Sequence, residues 1–179
     1  MKTFFRWSLF TMVLAAVLHM VTVWVFPYAI MAMVAKKSQE QREAQINTVF
    51  ASPPTTPAQR TVVMPSPDLL YSIIGFDLSE APLHIIAPIP PDTYWSIAFY
   101  SINTVNFLTI NDRQARTNPL EIVLVPEDTL VSAPPNALVV AAPSKRGVVL
   151  ARFLIKDNNR LADLIAVQKQ MTCKVLAPQ

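Results

Sequence analysis

The chain has 179 residues, enough for one domain with an additional segment and too few for two sizeable domains. Apolar residues make up 52% and charged residues 15%, and the apolar excess is concentrated near one end, where Trp7 to Ala35 carries no charged residue. The formal net charge of +3 sits beside that stretch. Lys2, Arg6, Lys36, Lys37 and Arg42 flank it against Glu40 and Glu43, whereas basic and acidic residues balance from Ala51 onward. A nucleic-acid binder carries its basic excess on the folded domain, so that function is excluded. Basic flanks of an apolar segment instead suit anionic lipid head groups. Cys173 is the single cysteine, which excludes an intrachain disulfide.

Residues 1–6 form a short basic tail and residues 7–35 the predicted transmembrane anchor. A helix needs about 20 apolar residues to span the hydrocarbon core, and the apolar stretch of a signal peptide is only about 7–15 residues long. No Ala-x-Ala pair precedes Lys36, so an uncleaved anchor is expected. Phe4, Phe5 and Trp7 at one end and Trp24, Phe26 and Tyr28 at the other suit the two head-group levels. Pro27 follows, where a helix kinks or ends at least cost. The flanking charges nearly tie. The six-residue tail favours a cytoplasmic N-terminus, which places the remainder in the periplasm of a bacterial inner membrane. Ser8, Thr11, Ala15, His19 and Thr22 recur at spacings of three and four, a stripe of the kind that forms helix–helix contacts in lipid. His19 reads either as a neutral imidazole tolerated by lipid or as a contact with a partner helix.

Residues 36–60 read as a juxtamembrane helix over Ser38–Phe50, opened by an N-capping serine, then a Pro-rich spacer over Ala51–Arg60. From residue 61 to 179 a β-rich domain is predicted. Candidate strands are Val62–Met64, Leu69–Phe76, Leu83–Ala87, Tyr94–Ile102, Val105–Ile110, Leu120–Val125, Ala137–Ala141 and Val148–Ile155. Each is short, rich in Val, Ile and aromatic residues, and bounded by Pro, Asn, Asp or Ser. In Tyr94–Ile102 the alternation sets Trp95, Ile97 and Phe99 on one face and Tyr94, Ser96, Ala98 and Tyr100 on the other, as in a half-buried strand. With only Gly75 and Gly147 available, tight primed hairpins are scarce. Pro and Asx turns replace them, with a longer loop at Asp112–Pro119. Asp77 is expected to cap such a turn. A sandwich-like fold or an open barrel fits better than a meander. Asp157–Asn158 opens a C-terminal amphipathic helix running to about Thr172, with Leu161, Leu164, Ile165 and Met171 on its apolar stripe.

The chemistry-bearing residues are few. His84 is the only histidine outside the apolar segment. In the strand Leu-His-Ile-Ile it reads as an outward or satisfied sheet residue rather than a general base, which needs a positioned partner. Asn111-Asp112-Arg113 follows an apolar strand and opens a loop, where function often sits; an Asp–Arg loop contact is the plainer reading. Asp112, Arg113 and His84 are the weak candidates for a hydrolase. Tyr94, Trp95 and Tyr100 are the weak candidates for an apolar ligand pocket, with core packing as the alternative. Cys173, on the predicted terminal helix, reads as an inert buried thiol. No nucleophile elbow, zinc-protease motif, phosphate loop or dinucleotide fingerprint is present, and no metal or cofactor is implied.

The segment Tyr71–Pro82 (Tyr-Ser-Ile-Ile-Gly-Phe-Asp-Leu-Ser-Glu-Ala-Pro) resembles domain of unknown function 1254. The similarity continues through Ala87-Pro88, Tyr94-Trp95-Ser96, Phe107, Asn111-Asp112-Arg113, Val148, Ala151-Arg152 and a terminal helix with Gln168. It covers roughly Pro67 to Cys173, and Ala81 departs from the family pattern, which has glycine. The resemblance implies a β-sandwich-like domain in exported or membrane-tethered bacterial proteins, and a companion protein of the unknown-function 1214 family. It carries no catalytic residues. The sequence reading is therefore a non-enzymatic, membrane-tethered envelope protein whose domain binds a partner protein or a small apolar ligand. The rivals are an envelope hydrolase and an assembly or scaffold factor.

Overall fold

The computed structural model describes residues 2–40, 46–56, 65–129 and 131–176, with the side chains of the first helix described as far as Met33. Helix α1 runs from Lys2 to Glu40. Its 39 residues are about 58 Å long at 1.5 Å per residue. Residues 2–33 are long and apolar enough to cross a membrane. Pro27 lies inside the helix, so it neither ends the helix nor separates Tyr28–Ala35 from it. A proline removes one donor from the ladder, and the Ala and Met residues that follow are good helix formers.

The predicted juxtamembrane helix does not reach Phe50. Phe50–Ala51 forms strand β1, preceded by a turn at Ile46–Thr48. The chain thus joins the β domain upstream of residue 61. Asn47 N–H donates to the Gly75 carbonyl, and Ser52 N–H to that of Tyr71. The start of the predicted spacer is therefore bonded to the sheet. Its portion from Pro57 onward, the strand expected at Val62–Met64 and residues 41–45 lie outside the described residues.

The remaining elements are β2 (Leu69–Asp77), β3 (Leu83–Ala87), β4 (Trp95–Ser101), β5 (Asn106–Asn111), β6 (Leu120–Pro126), β7 (Leu138–Ala142), β8 (Arg146–Leu154), a 3₁₀ turn at Asn158–Arg160, α2 (Leu161–Lys169) and β9 (Thr172–Val175). They build two sheets with the orders β1-β2-β8-β4-β5 and β7-β6-β3-β9. The first sheet is antiparallel throughout. In the second, β6 and β7 are parallel. Inward residues of both sheets form one core: Leu70, Ile74, Trp95, Ile97, Phe99, Val149 and Phe153 meet Leu83, Ile85, Ile122, Leu124 and Val140. The architecture is a sandwich with no closed barrel.

Strand β4 differs from its expected half-burial. Trp95, Ile97 and Phe99 face the core as predicted, but Ser96 and Ala98 on the opposite face are also 0% exposed. β4 lies between β8 and β5, where small residues are shadowed by longer neighbours on both sides. Turns use Asx chemistry as expected. Asp77 Oδ1 accepts from Ser79 N–H at 2.9 Å, Asn111 Oδ1 from Arg113 N–H at 3.0 Å, and Asp157 Oδ1 from Asn159 N–H at 2.9 Å. The described positive-φ residues are Asn47, Asp92, Thr104 and Asp128, and neither glycine is among them.

Helix α2 is shorter than the predicted one, ending at Lys169. Met171 still packs in the core, but as the residue entering β9, so Cys173 lies on a strand rather than a helix. Leu164 and Gln168, one turn apart, are the buried residues of α2. β1 and its flanking residues Asn47 and Ser52 line the β2 edge. Gln168 Nε2 reaches it, donating to the Tyr71 carbonyl at 2.8 Å and to that of Ser52 at 3.1 Å. A buried amide that meets backbone acceptors in this way fixes the helix across the sheet edge.

Candidate functional site

The β3–β4 loop carries Pro90 and Pro91 and then Asp92 at φ 61°. Two prolines fix φ and remove donors, so the loop takes its rigidity from them and from side-chain bonds rather than from a ladder. Asn118 clamps it on one side, its Oδ1 accepting from Ile89 N–H at 3.0 Å and its Nδ2 donating to the Ile89 carbonyl at 2.9 Å. Thr93 Oγ1 ties the other side to the end of β8, donating to the Leu154 carbonyl at 2.6 Å. Across from this loop, Asp157 caps the 3₁₀ turn that leads into α2.

Between the proline loop and α2 lies an open groove of about 510 Å³. Its apolar surface comes from Pro90, Pro91, Leu154, Leu164 and Val167. Lys156, Arg160, Asp92, Asp157 and Asp163 stand around it. The Asp157 carboxylate is occupied by its cap, and Arg160 Nε lies 3.9 Å from Asp163 Oδ2 with both side chains exposed, a weak contact. An apolar floor with a mixed-charge rim is the ordinary form of a small-molecule site, and the volume lies in the range of such sites. Nothing in the spacing of these residues marks them in the sequence; the loop and the helix meet only in the fold.

The residues singled out from sequence do not converge. His84, on β3, faces Glu121 of the neighbouring β6, with Nε2 3.1 Å from Oε2. Asp112 follows β5 in the other sheet, where Oδ1 accepts from Trp95 N–H at 3.4 Å and its own N–H donates to the Trp95 carbonyl. Arg113 N–H bonds to Asn111 Oδ1, so the side chain that holds this turn is Asn111, with no Asp112–Arg113 pair among the described residues. Trp95 is fully buried in the core, whereas Tyr94 is exposed and Tyr100 partly so. The two tyrosines stand at opposite ends of β4, roughly 20 Å apart at 3.3 Å per residue.

On α1, Thr11 Oγ1 donates to the Trp7 carbonyl at 3.0 Å and Thr22 Oγ1 to that of Leu18 at 2.8 Å. Both threonine hydroxyls of the polar stripe are therefore satisfied within the helix, while Ala15 and His19 lie exposed on it. Burial pushes the Cys173 thiol up to about 12. Few thiolates exist at neutral pH under that condition, and the thiolate is the reactive form. Among the described residues no three His, Cys, Asp or Glu side chains group to hold a metal ion.

These features define a two-sheet sandwich, closed at one edge by a short helix and preceded by one helix long and apolar enough to cross a membrane. The chain belongs to the family described as protein of unknown function (DUF1254), whose model matches residues 46–175. The matched segment begins at the turn that precedes β1. No curated protein matches the chain. Its fold is similar to that of the VPA0106 protein from Vibrio parahaemolyticus, with a TM-score of 0.64 at 13% identity over 86% of this chain and 37% of that one. An uncharacterized protein from Burkholderia cenocepacia aligns with a TM-score of 0.53 at 15% identity, over 85% of this chain and 41% of that one. The chain thus spans less than half the length of either solved structure.

Proposed function

We propose that this is a single-pass envelope protein, anchored in a bacterial inner membrane with its N-terminus cytoplasmic, whose periplasmic β domain binds a small apolar ligand. The groove beside α2 carries the reading. About 510 Å³ of mostly apolar surface is exposed next to a rigid loop, and exposed concave apolar surface is favourable to cover. A partner protein of the unknown-function 1214 family is the natural companion in an assembly. The hydrolase alternative has less support, because it needed His84, Asp112 and Arg113 together, and His84 is on β3 of one sheet whereas Asp112 and Arg113 are in the turn that follows β5 of the other.

Two experiments test this. Organic extraction of the full chain, purified in mild detergent and read by mass spectrometry, is expected to release an apolar compound that Val167→Arg does not retain. Identical extracts from both proteins would remove the groove from the reading. Alkaline phosphatase fused after Gln45 is expected to be active, and an inactive fusion reverses the orientation.

A further inference from the structure

The strand register assembles a second polar feature from residues remote in sequence. Tyr71 on β2 stands opposite Arg152 on β8. Arg152 stands opposite Ser96 on β4, and Ser96 opposite Asn111 on β5. Directly opposed residues share a face, so the four form one row across adjacent strands. The neighbouring positions Ser72, Ala151, Ile97 and Ile110 form the parallel row on the core side. The polar row therefore lies on the outer face. The four come from four separate strand segments, and neither the groove nor the core uses them as a set.

Two atoms in the middle of this row are buried without a partner: Arg152 Nε and Ser96 Oγ. Ser96 is 0% exposed, and Arg152 is in no ion pair among the described residues. Its neighbours are already committed elsewhere. Tyr71 Oη accepts from Ser66 N–H at 2.9 Å, and Asn111 Oδ1 accepts from Arg113 and Gln114 N–H. A permanently charged guanidinium and a hydroxyl, side by side and both able to donate, lack a common acceptor. An oxygen pair bearing negative charge satisfies that arrangement, and arginine's fork matches a carboxylate geometrically. The next row on the same face is Ile73, Leu150, Ala98 and Thr109, apolar on β2, β8 and β4. Arg152, Tyr71 and Asn111 are only partly buried, so the row reaches the surface around the two enclosed atoms.

We propose that Arg152 and Ser96 form a carboxylate-binding site on the outer face of the five-stranded sheet, whose ligand is a small amphipathic carboxylate with its apolar body over Leu150 and Ile73. The probe pair is hexanoate and hexanamide, equal in shape and different in charge, titrated calorimetrically into the full chain in mild detergent. Hexanoate is expected to bind at least tenfold more tightly than hexanamide. Arg152→Gln removes that preference, and Ser96→Ala reduces it severalfold. Arg152→Lys keeps the charge, loses the fork, and is expected to reduce the preference at least fivefold. Lys145→Gln, which removes an exposed cation before β8, leaves it unchanged. Equal binding of the two probes by the native chain overturns the proposal, as does a preference that survives Arg152→Gln. If Arg152→Gln does not fold, an undiminished preference in both Ser96→Ala and Arg152→Lys overturns it equally.

Discussion

Helix α1 and strand β4 are built from the same kinds of apolar side chain and dispose of them in opposite ways. On α1, Leu9, Phe10 and Val13 are each more than half exposed. On β4, Trp95, Ile97 and Phe99 are completely buried. The strand finds its apolar partner within the chain, in the facing sheet, so its burial stabilises the domain. The side chains of the helix find no apolar cover among the described residues. Hydrophobicity is thus a demand for a surface, and what supplies the surface separates the apolar helix from the core.

The largest expected effect breaks the anchor and spares the core. Arginine near the centre of a spanning helix costs about 2.5–3.5 kcal/mol on insertion scales. Leu14→Arg combined with Val17→Arg is therefore expected to move the chain out of the carbonate-resistant membrane fraction. The thermal midpoint of the β domain should not change. If the domain melts with the anchor, the two regions are not independent in the way their burial suggests.

The converse substitution, Trp95→Ala, leaves the anchor intact and opens a void at a fully buried position, at about 3–5 kcal/mol. Membrane fractionation should be unaffected while the near-ultraviolet circular dichroism of the domain is lost. A finer version uses the two glycines. A Cβ at Gly147 would collide with the Tyr100 carbonyl oxygen and lie 2.6 Å from Cζ of Phe76, whereas one at Gly75 meets nothing within 4 Å. Phe76 stands directly opposite Gly147, so its ring covers the space a side chain would fill. Gly147→Ala is expected to cost about 1–3 kcal/mol in denaturant unfolding, and Gly75→Ala close to nothing.

Most strands were readable as short runs rich in Val, Ile and aromatic residues bounded by Pro, Asn, Asp or Ser. Leu83–Ala87 is matched to the residue, and the strands at 69, 95, 106, 120, 138 and 146 fall within two residues of their expected starts. What escaped has physical reasons. β1 is two residues long, too short for any pattern, and exists because the β2 edge offers it a partner. β9 reads Thr-Cys-Lys-Val, and Met171 extended the apolar stripe of the preceding helix. The helix ends at Lys169 because Thr172–Val175 pairs with β3 instead. The parallel β6–β7 pair and the β3–β4 loop facing α2 are matters of topology, on which local spacing is silent. So is the row Tyr71–Arg152–Ser96–Asn111. Each residue stood inside a visible motif, but only the register made them neighbours.

The smallest expected effect concerns the place where the chain coming from the helix joins the domain. Asn47 exchanges two bonds with Asp77, its Nδ2 donating to the Asp77 carbonyl and its Oδ1 accepting from Asp77 N–H. Burial raises the tendency of the Asp77 carboxyl to hold its proton. Bonds from Ser79 and from Arg146, whose Nε lies 2.7 Å away, outweigh it and hold the group below the usual carboxylate value. A group depressed in the folded state stabilises it above its unfolded pKa of about 3.9 and loses that contribution as pH falls through the folded value. Arg146 is two-thirds exposed, so screening limits the contribution to about 0.5 kcal/mol. Asp77→Asn should therefore unfold slightly more easily than wild type near pH 7, and the gap should close as acid protonates Asp77. Paired denaturant melts at the two pH values check this. A gap that persists in acid would assign the cost to the Ser79 turn and the Asn47 clamp rather than to charge, making the junction a matter of backbone geometry.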